Sequence, residues 1–523
     1  MIMSPQKIFP LIFIFLLTSL KMHAQPPNDY AKNWKAVEAF EKKGLTKSAL
    51  QEVMKIFDMA IAAGNEPQQV RSAMYQMKYR NMVEEDNKEN NIFYVDTLIA
   101  KTKAPAKNIL QSIQAELFWT YRQNNRYKFY NRTTLVEEKS KDISTWSITK
   151  LNQTITALYK VSLKNETILK NTSLNGLDAI IAKGENSRNL RPTLYDLLAH
   201  RALTHFMDEE NDVTNPSYKF ILNDEKIFAP AAEFIKTKFI SKDTASLYLN
   251  AINLLQDILK FHLTDANPDA LLDADLIRLN FANQHGIFTN KDRLYENALL
   301  NIETSFNNNP VAAQAMYLRA QLYYTQGSEF EALSKKDHQY EIKRAKELCE
   351  IAMNRFPKSE GAINSQNLLN QIKMPLLNLE TEKVNIGGQP FRSLVKYKNI
   401  STLYFRIIKT NREQIKKINY SNYDDNWKAV LDIKPLKNWD INLPNLQDFQ
   451  QHSTEIKIDA LQPGTYFILA SINPDFSLSQ NIIARQITYV SNISYISNNK
   501  DELYILNRDN GQPIANAEVQ LWQ

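Results

Sequence analysis

The stretch KMPLLNLETEKVNIGGQPFRSLVKYKNI, residues 373–400, marks a change of period in this chain. Before it, apolar residues recur every three or four positions, as on one face of a helix. After it, runs rich in β-branched and aromatic residues alternate partially with polar ones, as in strands. Met374-Pro375 is typical of a linker between the two patterns. The sequence therefore predicts an α + β multidomain protein, with a helical region first and an antiparallel β region second.

Residues 25–373 are predicted to form an array of helical hairpins. Within residues 50–61, the apolar positions share one stripe of a helix: Leu50, Val53, Met54, Phe57, Ala60 and Ile61. Gly64 and Pro67 mark a turn, and a second stripe follows: Val70, Ala73, Met74 and Met77. Pro192-Thr193 and Asn267-Pro268 are further helix starts. Such hairpins are the unit of an α-solenoid.

Residues 312–357 contain the clearest repeat. The positions that fit the two helices of a tetratricopeptide-like unit are Ala320, Tyr323, Gly327, Ala345, Cys349, Ala352 and Pro357. Small residues at these positions allow two helices to approach closely. A charged insert at residues 328–343 departs from the strict repeat length. We therefore expect a tetratricopeptide-like solenoid with one irregular connection.

Residues 374–490 are predicted to form a β-sandwich, because several short strand-like runs follow one another at turn-marked intervals. Pro463-Gly464, for example, precedes the run TYFILASI. The polar segment 411–448 interrupts the pattern and is predicted to be a long loop or a short helix. A second β unit begins near Ile493. It is expected to be incomplete, with residues 502–523 as its first hairpin around the Asn510-Gly511 turn and a poorly ordered C-terminus from about residue 491.

The first 24 residues resemble a secretory signal peptide. Lys7 precedes an apolar core at residues 8–20, which is shorter than the roughly 20 residues needed to span a bilayer. Cleavage after Ala24 would leave Gln25 as the first mature residue, and an uncleaved anchor is the alternative. No cysteine lies at the end of this segment, where a lipid would be attached. We therefore expect an exported protein, periplasmic or associated with the cell envelope, that is not lipid-anchored at its mature N-terminus.

Composition restricts the class of protein further. The chain of 523 residues carries a net charge of +6 without a long basic run, so nucleic-acid binding has little support. Its single cysteine rules out a disulfide framework and a cysteine-based metal site. We find no glycine-rich phosphate loop and no Gly-Xaa-Ser-Xaa-Gly motif. No catalytic residue, metal ligand or cofactor is predicted.

Five features resemble sites, and for each the sequence favours a structural role. Cys349 lies between Ala345 and Ala352 on a helix face, which favours a buried core residue over a reactive thiol. His200 and His205 are separated by about 140° around a helix, so they do not form an i, i+4 metal pair. The aromatic residues at 118–130 favour core packing, with a partner surface as the alternative: Phe118, Trp119, Tyr121, Tyr127, Phe129 and Tyr130.

The stretch DANPDALLDADL, residues 265–276, spaces its first acidic residues like a calcium loop. However, Ala270 and Leu276 stand where glycine and glutamate are required. We interpret Asn267 as a helix N-cap, with Pro268 at the first helical position. The acidic run at 207–212 is predicted to be a solvated loop.

The order of these segments resembles a known family. A helical leader is followed in order by LETEKVNIGGQPFRSLVKYKNISTLYFRI, LQPGTYFILAS and NRDNGQPIANAEVQLW. In this order the chain is similar to the N-terminal part of Bacteroidetes-type alpha-2-macroglobulin-like proteins. The resemblance implies a signal peptide (1–24), a helical region (25–373), a first macroglobulin-like sandwich (374–490) and the start of a second (491–523). It also implies that the chain is the beginning of a longer protein.

The family's best-known activity is to trap proteases, which cut a bait segment and are enclosed. Some members also acylate the protease through a thioester formed within a Cys-Xaa-Glu-Gln stretch. Here Cys349 is followed by Glu350, Ile351 and Ala352, so no residue of this chain matches that motif. The resemblance implies protease partners through downstream domains and envelope proteins as partners of the helical region. The alternative is a standalone exported helical-repeat scaffold that binds a peptide or protein; an enzyme has no motif to support it.

Overall fold

The computed structural model describes residues 30–84, 89–129, 142–184, 187–208, 218–419, 422–498 and 502–520. It divides into two compact units. Unit 1 comprises the described residues up to 220 together with residues 239–258, and unit 2 comprises residues 221–238 and the described residues from 259 onwards. The predicted signal peptide, Tyr130 and residues 209–212 lie outside the described ranges.

Unit 1 is helical. Its elements are α1 (Tyr30–Lys42), α2 (Thr46–Ala63), α3 (Glu66–Val83), α4 (Asn90–Lys101), α5 (Ala106–Asn124), α6 (Arg126–Phe129), α7 (Ile148–Ser162), α8 (Glu166–Asn171), α9 (Ser187–Leu190), α10 (Leu194–Phe206) and most of α12 (Leu247–His262), with 3-10 turns at Ile143–Thr145 and Leu174–Leu177. The predicted start of α10 is confirmed, because Thr193 and Asp196 form a reciprocal capping box.

The predicted hairpin of α2 and α3 forms across Gly64. This residue has a φ of 63°, which glycine adopts without strain, and the Asn65 side chain then caps α3 through the N–H of Gln68. The predicted stripe on α2 is partly wrong: Met54 is exposed, whereas Ile56 is buried. The reason is that α2 packs against α1 as well as α3, which shifts and widens its buried face.

The helical part of unit 2 comprises a 3-10 turn (Glu225–Phe228), α11 (Ala231–Phe234), α13 (Asp269–His285), α14 (Lys291–Ser305), α15 (Ala312–Gly327), α16 (Glu341–Arg355) and α17 (Glu360–Lys373). Ala320 of α15 and Ala345 of α16, two of the predicted small residues, share one hydrophobic cluster with Tyr323 and Cys349. Gly327 and Gly361 lie where neighbouring segments of the chain approach closely. A Cβ on Gly327 would lie 2.6 Å from the Ile342 side chain, and one on Gly361 would lie 2.2 Å from the Ala313 backbone.

Strands begin immediately after α17, which confirms the predicted change from helix to strand. They are β1 (Leu376–Thr381), β2 (Val384–Asn385), β3 (Phe391–Lys398), β4 (Thr402–Thr410), β5 (Lys437–Asn442), β6 (His452–Ile458), β7 (Gly464–Ser471), β8 (Ile483–Val490), β9 (Ile493–Asn498) and β10 (Glu502–Asn507). The sheet orders are β1-β3-β6, β2-β8-β7-β4-β5 and β9-β10.

The first two sheets contribute to one hydrophobic cluster. Val395 and Ile458 of the three-stranded sheet belong to it, together with Phe405, Ile407 and Ile468 of the five-stranded sheet. Pairing is antiparallel except between β2 and β8. The chain crosses from the three-stranded sheet to the five-stranded sheet between β1 and β2, and the short crossing leaves β2 running in the same direction as β8.

The polar segment 411–448 contains more regular structure than its sequence indicates. It holds α18 (Arg412–Asn419), α19 (Tyr423–Leu431) and the edge strand β5. Ile418 and Val430 of the two helices pack with Phe467 and Leu469 of the five-stranded sheet. The prediction of a short helix is thus confirmed, whereas β5 was missed because its exposed lysine and asparagines weaken the strand pattern.

The predicted hairpin around Asn510-Gly511 forms only in part: Leu506 and Pro513 make an antiparallel bridge, and the Ile514 N–H donates to the Ile505 carbonyl at 2.9 Å. Gly511 does turn the chain, with a φ of 71°, but β10 pairs with the preceding β9, and residues 517–520 belong to no strand. Tyr495 faces Ile505 and Ile496 faces Tyr504 across this pair. These apolar cross-strand contacts favour β9 as the partner over the more polar segment after the turn.

Candidate interaction sites

The residues considered as catalytic or metal sites are mostly structural. Cys349 is fully buried, and burial raises the pKa of its thiol to about 11, so the prediction of a core cysteine is confirmed. Within the described ranges, no three or more histidine, cysteine, aspartate or glutamate side chains cluster as metal ligands. The same ranges contain no helix with the length and hydropathy to cross a membrane.

His205 is the more unusual of the two histidines on α10. It is fully buried, stacks on Tyr159 at 5.4 Å between ring centroids, and meets Trp119 edge-on at the same distance. Both of its ring nitrogens and Nε1 of Trp119 lack a hydrogen-bond partner among the described residues. Burial lowers the pKa of His205 to about 4, and the positive charge of Arg122 acts in the same direction. The imidazole is therefore neutral at ordinary pH.

Acidic side chains of the two acidic stretches, 207–212 and 265–276, make contacts within the fold. Asp208 pairs with the buried Arg122 at 3.0 Å, so this member of the predicted solvated loop is part of the fold. Asp269 accepts a hydrogen bond from Asn309 at 2.8 Å. The N-cap interpretation of Asn267 is partly wrong: α13 begins at Asp269 and Pro268 occupies the cap, but the Asn267 side chain still accepts a hydrogen bond from the Asp269 N–H at 3.2 Å. Proline fits there because the position needs no backbone N–H.

Some aromatic residues of α5 and α6 pack in the core, as expected, and others are exposed, as a partner surface would require. Phe118 and Phe129 are buried, and Phe118 stacks on Trp146 at 5.7 Å, which confirms core packing for these rings. Tyr127 is 71% exposed. The cluster is therefore mainly part of the core of unit 1.

A groove on unit 1 is the first candidate site. It has a volume of about 390 Å³ and is lined by α7, residues 218–220 and the start of α12. One face of α7 supplies Thr149, Asn152, Gln153, Thr156 and Lys160, while Leu151, Ile155 and Tyr159 on the opposite side are buried. The groove is held in shape by Asp243, whose carboxylate accepts a hydrogen bond from the Phe220 N–H at 3.1 Å.

The second candidate site joins the helices of unit 2 to its sheets. Residues 444–451, here called the clasp loop, connect β5 to β6 and contact the insert at 328–343. Asp448 accepts a hydrogen bond from the Gln339 side chain at 3.0 Å. Gln450 donates from its side chain to the carbonyls of Gly327 at 2.8 Å and Gln339 at 3.2 Å. The insert, which makes this repeat longer than the standard unit, thus binds a loop of the β region.

Asp448 and Gln450 of the clasp loop are buried, and the loop turns tightly between them. Phe449 has a φ of 60° and packs against the helical cluster that contains Cys349. Burial alone would raise the pKa of Asp448, but hydrogen bonds from Gln339, His452 and the Gln450 N–H outweigh it and hold the pKa below its ordinary value. A second hydrogen bond joins the helices to the β region: the Asn399 side chain donates to the carbonyl of Ile372 in α17 at 2.7 Å.

The edges of the sheets form a third feature. A cleft of about 470 Å³ lies between the edge strands β5 and β6 and is lined in part by Trp439, Ile441 and Ile456. Lys437 of β5 pairs with Asp459, which follows β6, across this opening. Charged side chains at an edge commonly protect it from pairing with other chains.

The β9–β10 hairpin exposes apolar side chains on both of its faces. Tyr495 is 67% exposed on one face, and Ile496 and Tyr504 are 57% and 51% exposed on the other. Two strands alone are marginally stable in water. Concentrated exposed apolar area of this kind is typical of a surface that contacts another protein segment.

Comparison with known proteins adds no relative to this picture. Neither a protein-family model nor a curated protein matches the chain.

The sequence predicted one part of these sites, the insert, but neither the partner of the insert nor the groove. The insert at 328–343 was recognisable as an interruption of the repeat, but its partner, Asp448, lies 109 residues away from Gln339. The polar face of α7 was hidden because the apolar stripe on the opposite side accounts for its helical pattern. The signal for the groove is the polar set at positions 149, 152, 156 and 160, which share a face.

Proposed function

We propose that this chain is the N-terminal module of an exported alpha-2-macroglobulin-like protease inhibitor. In this proposal, tetratricopeptide-like helical hairpins form an arm, and the two sheets that share a core form the first macroglobulin-like sandwich. The module carries neither bait segment nor thioester and performs no catalysis. It works in the periplasm or at the cell envelope, and proteases are met by further domains of the protein.

The clasp loop carries this proposal. An inhibitor that encloses a protease must transmit movement between domains, which requires rigid joints. Side-chain hydrogen bonds from Gln339 and Gln450 join the insert and the end of α15 to the β region. The exposed strands β9 and β10 give further support, because additional β structure would cover their apolar side chains.

Protease protection tests the proposal. The protein is purified from its native host in whatever length it is made and incubated with trypsin, chymotrypsin or subtilisin. An enclosed protease loses access to a large protein substrate but still cleaves a small chromogenic peptide. We expect this selective loss for the native protein and no such effect from residues 25–523 alone. Unchanged cleavage of both substrates by the native protein would refute the inhibitor function.

Export is tested separately by sequencing the N-terminus of the protein recovered from the periplasmic fraction. We expect Gln25 as the first residue. Recovery of the intact chain only from the cytoplasm would contradict the export prediction.

The second candidate function is a helical-repeat scaffold that binds a peptide or protein. The groove on unit 1 favours it, because its volume lies within the usual range for ligand sites and a whole face of α7 is given to polar lining. Co-purification of a discrete partner whose binding is lost when Thr156 is replaced by tryptophan would support this function.

A further inference from the structure

The charges in the unit 1 groove are unbalanced. Lys160 and Lys219 line it, and among the described residues of the lining Asp243 is the only acidic one. Asp243 is 8% exposed and is held by the Phe220 N–H, so its charge is largely withdrawn from the opening. Neither lysine has an ion-pair partner among the described residues. An anionic ligand would supply the missing charge.

The lining also suits a peptide backbone. Gln153 is exposed and makes no hydrogen bond to any described residue, and Asn152 and Asn250 lie in the same groove. A carboxamide offers both a donor and an acceptor, which matches the alternating N–H and C=O groups of an extended chain. Phe220 and Leu247 provide apolar contact beside these polar groups.

The simpler interpretation is a solvated surface with two ordinary lysines. A solvated helix face does not by itself enclose a groove of about 390 Å³ between three segments. The lysines are also placed on separate segments, one on α7 and one beside Phe220, so two distant parts of the chain bring positive charge to one opening. This convergence favours a binding site.

We propose that the groove on unit 1 binds an extended peptide segment that carries acidic side chains. Carboxylates of the segment pair with Lys160 and Lys219, and its backbone bonds to the Gln153 side chain of α7. This inference rests on the second candidate function and names the chemistry of its partner. It is independent of protease inhibition, so either can fail without the other.

The test uses fluorescence anisotropy with a fluorescein-labelled ten-residue peptide of glycine and serine that contains three glutamates. A second peptide has glutamines in their place. We expect the acidic peptide to bind about tenfold more tightly than the glutamine peptide at low salt, with binding weakened as salt is raised. Equal binding of both peptides, or no binding at about 1 mM, would overturn the proposal.

Matched variants localise the binding. Lys160→Gln with Lys219→Gln should weaken the acidic peptide about tenfold, whereas Lys164→Gln with Lys183→Gln, which removes two exposed lysines of the same unit outside the groove, should have little effect. Thr156→Trp should block the groove while both lysines remain. Thermal melting checks that each variant is folded. If both lysine pairs weaken binding equally, attraction is general and the groove is not the site.

Discussion

Gln339 donates a hydrogen bond to Asp448 over 3.0 Å, although the two residues are 109 positions apart in the chain. Gln339 belongs to the insert between α15 and α16, and Asp448 belongs to the clasp loop between β5 and β6. Asp448 is 1% exposed. Its carboxylate therefore stabilises the joint from the interior, where a lost partner cannot be replaced freely by water.

Replacement of this carboxylate should loosen the joint. Asp448→Ala removes the acceptor for Gln339, His452 and the Gln450 N–H, so we expect a loss of about 1–3 kcal/mol in the free energy of unfolding. Urea denaturation followed by fluorescence measures it. Gln451→Ala, at an exposed position of the same loop, should cost little. Equal stability of the two variants would show that the clasp contributes nothing.

Cys349 provides a reporter for the clasp loop. The thiol is fully buried in the cluster on which Phe449 packs, so a maleimide should label the folded protein slowly. Phe449→Ala removes part of this cover and should increase the labelling rate under native conditions. Leu446→Ala changes a residue of the same loop that is 53% exposed and should leave the rate unchanged. Fast labelling of the unmodified protein would contradict the buried position of the thiol.

His205 should make unit 1 sensitive to acid. The folded state lowers its pKa from 6.5 to about 4, so the unfolded chain binds a proton more readily. Its contribution is complete above pH 6.5 and is lost as the pH falls towards 4, by about 3 kcal/mol in total. We expect His205→Phe to flatten this part of the stability profile.

The control for this profile is His338→Asn, which changes an exposed histidine with a φ of 67° to another residue that tolerates this conformation. Its stability between pH 7 and 4 should follow the unmodified protein. The assignment fails if His205→Phe retains the full acid-induced loss.

Arg278 should be the most costly cation to remove in unit 2. It is buried, pairs with the equally buried Asp275, and donates to the carbonyls of Ile227 at 2.6 Å and Ala229 at 2.8 Å. Arg278→Met leaves Asp275 without its partner, and we expect a loss of about 3–5 kcal/mol. Calorimetry should show the lower melting temperature.

Two comparisons separate charge from packing at this site. Arg293→Met, at an exposed position of α14, should be nearly neutral. Asp275→Leu combined with Arg278→Met should recover part of the loss, because no buried charge remains uncompensated. A double variant less stable than the single one would contradict this account.

Gly361 should not accept a side chain. A Cβ at this position would lie 2.2 Å from the carbonyl carbon of Ala313, and backbone cannot move aside as a flexible side chain does. Gly361→Ala should therefore separate α15 from α17 and destabilise unit 2 by about 1–3 kcal/mol. Gly176→Ala, where nothing lies within 4 Å, is the matched control. A tolerated alanine at 361 would show that the two helices can shift apart.

Local sequence patterns predicted where helices and turns form better than they predicted which segments pack against them. The stripe on α2, the turn at Gly64 and the capping signal at Thr193 depend on neighbours a few residues away, and each was readable. Met54 was placed on the wrong face because the position of α1 is not encoded within α2. β5 was missed for a related reason: Trp439 stacks on Phe405 of the adjacent strand at 5.0 Å, and that contact requires the sheet.

The sequence by itself determined the change from helix to strand at residue 374, the small residues at which helices meet, and the single buried cysteine. These follow from periodicity and side-chain size, which act over a few residues. Only the tertiary structure decided that Asp448 meets Gln339, that Lys160 and Lys219 share a groove, and that β10 pairs with β9. Hydrogen bonds and charge–charge contacts of this kind join residues distant in the chain, and their formation depends on the packing that brings the segments together.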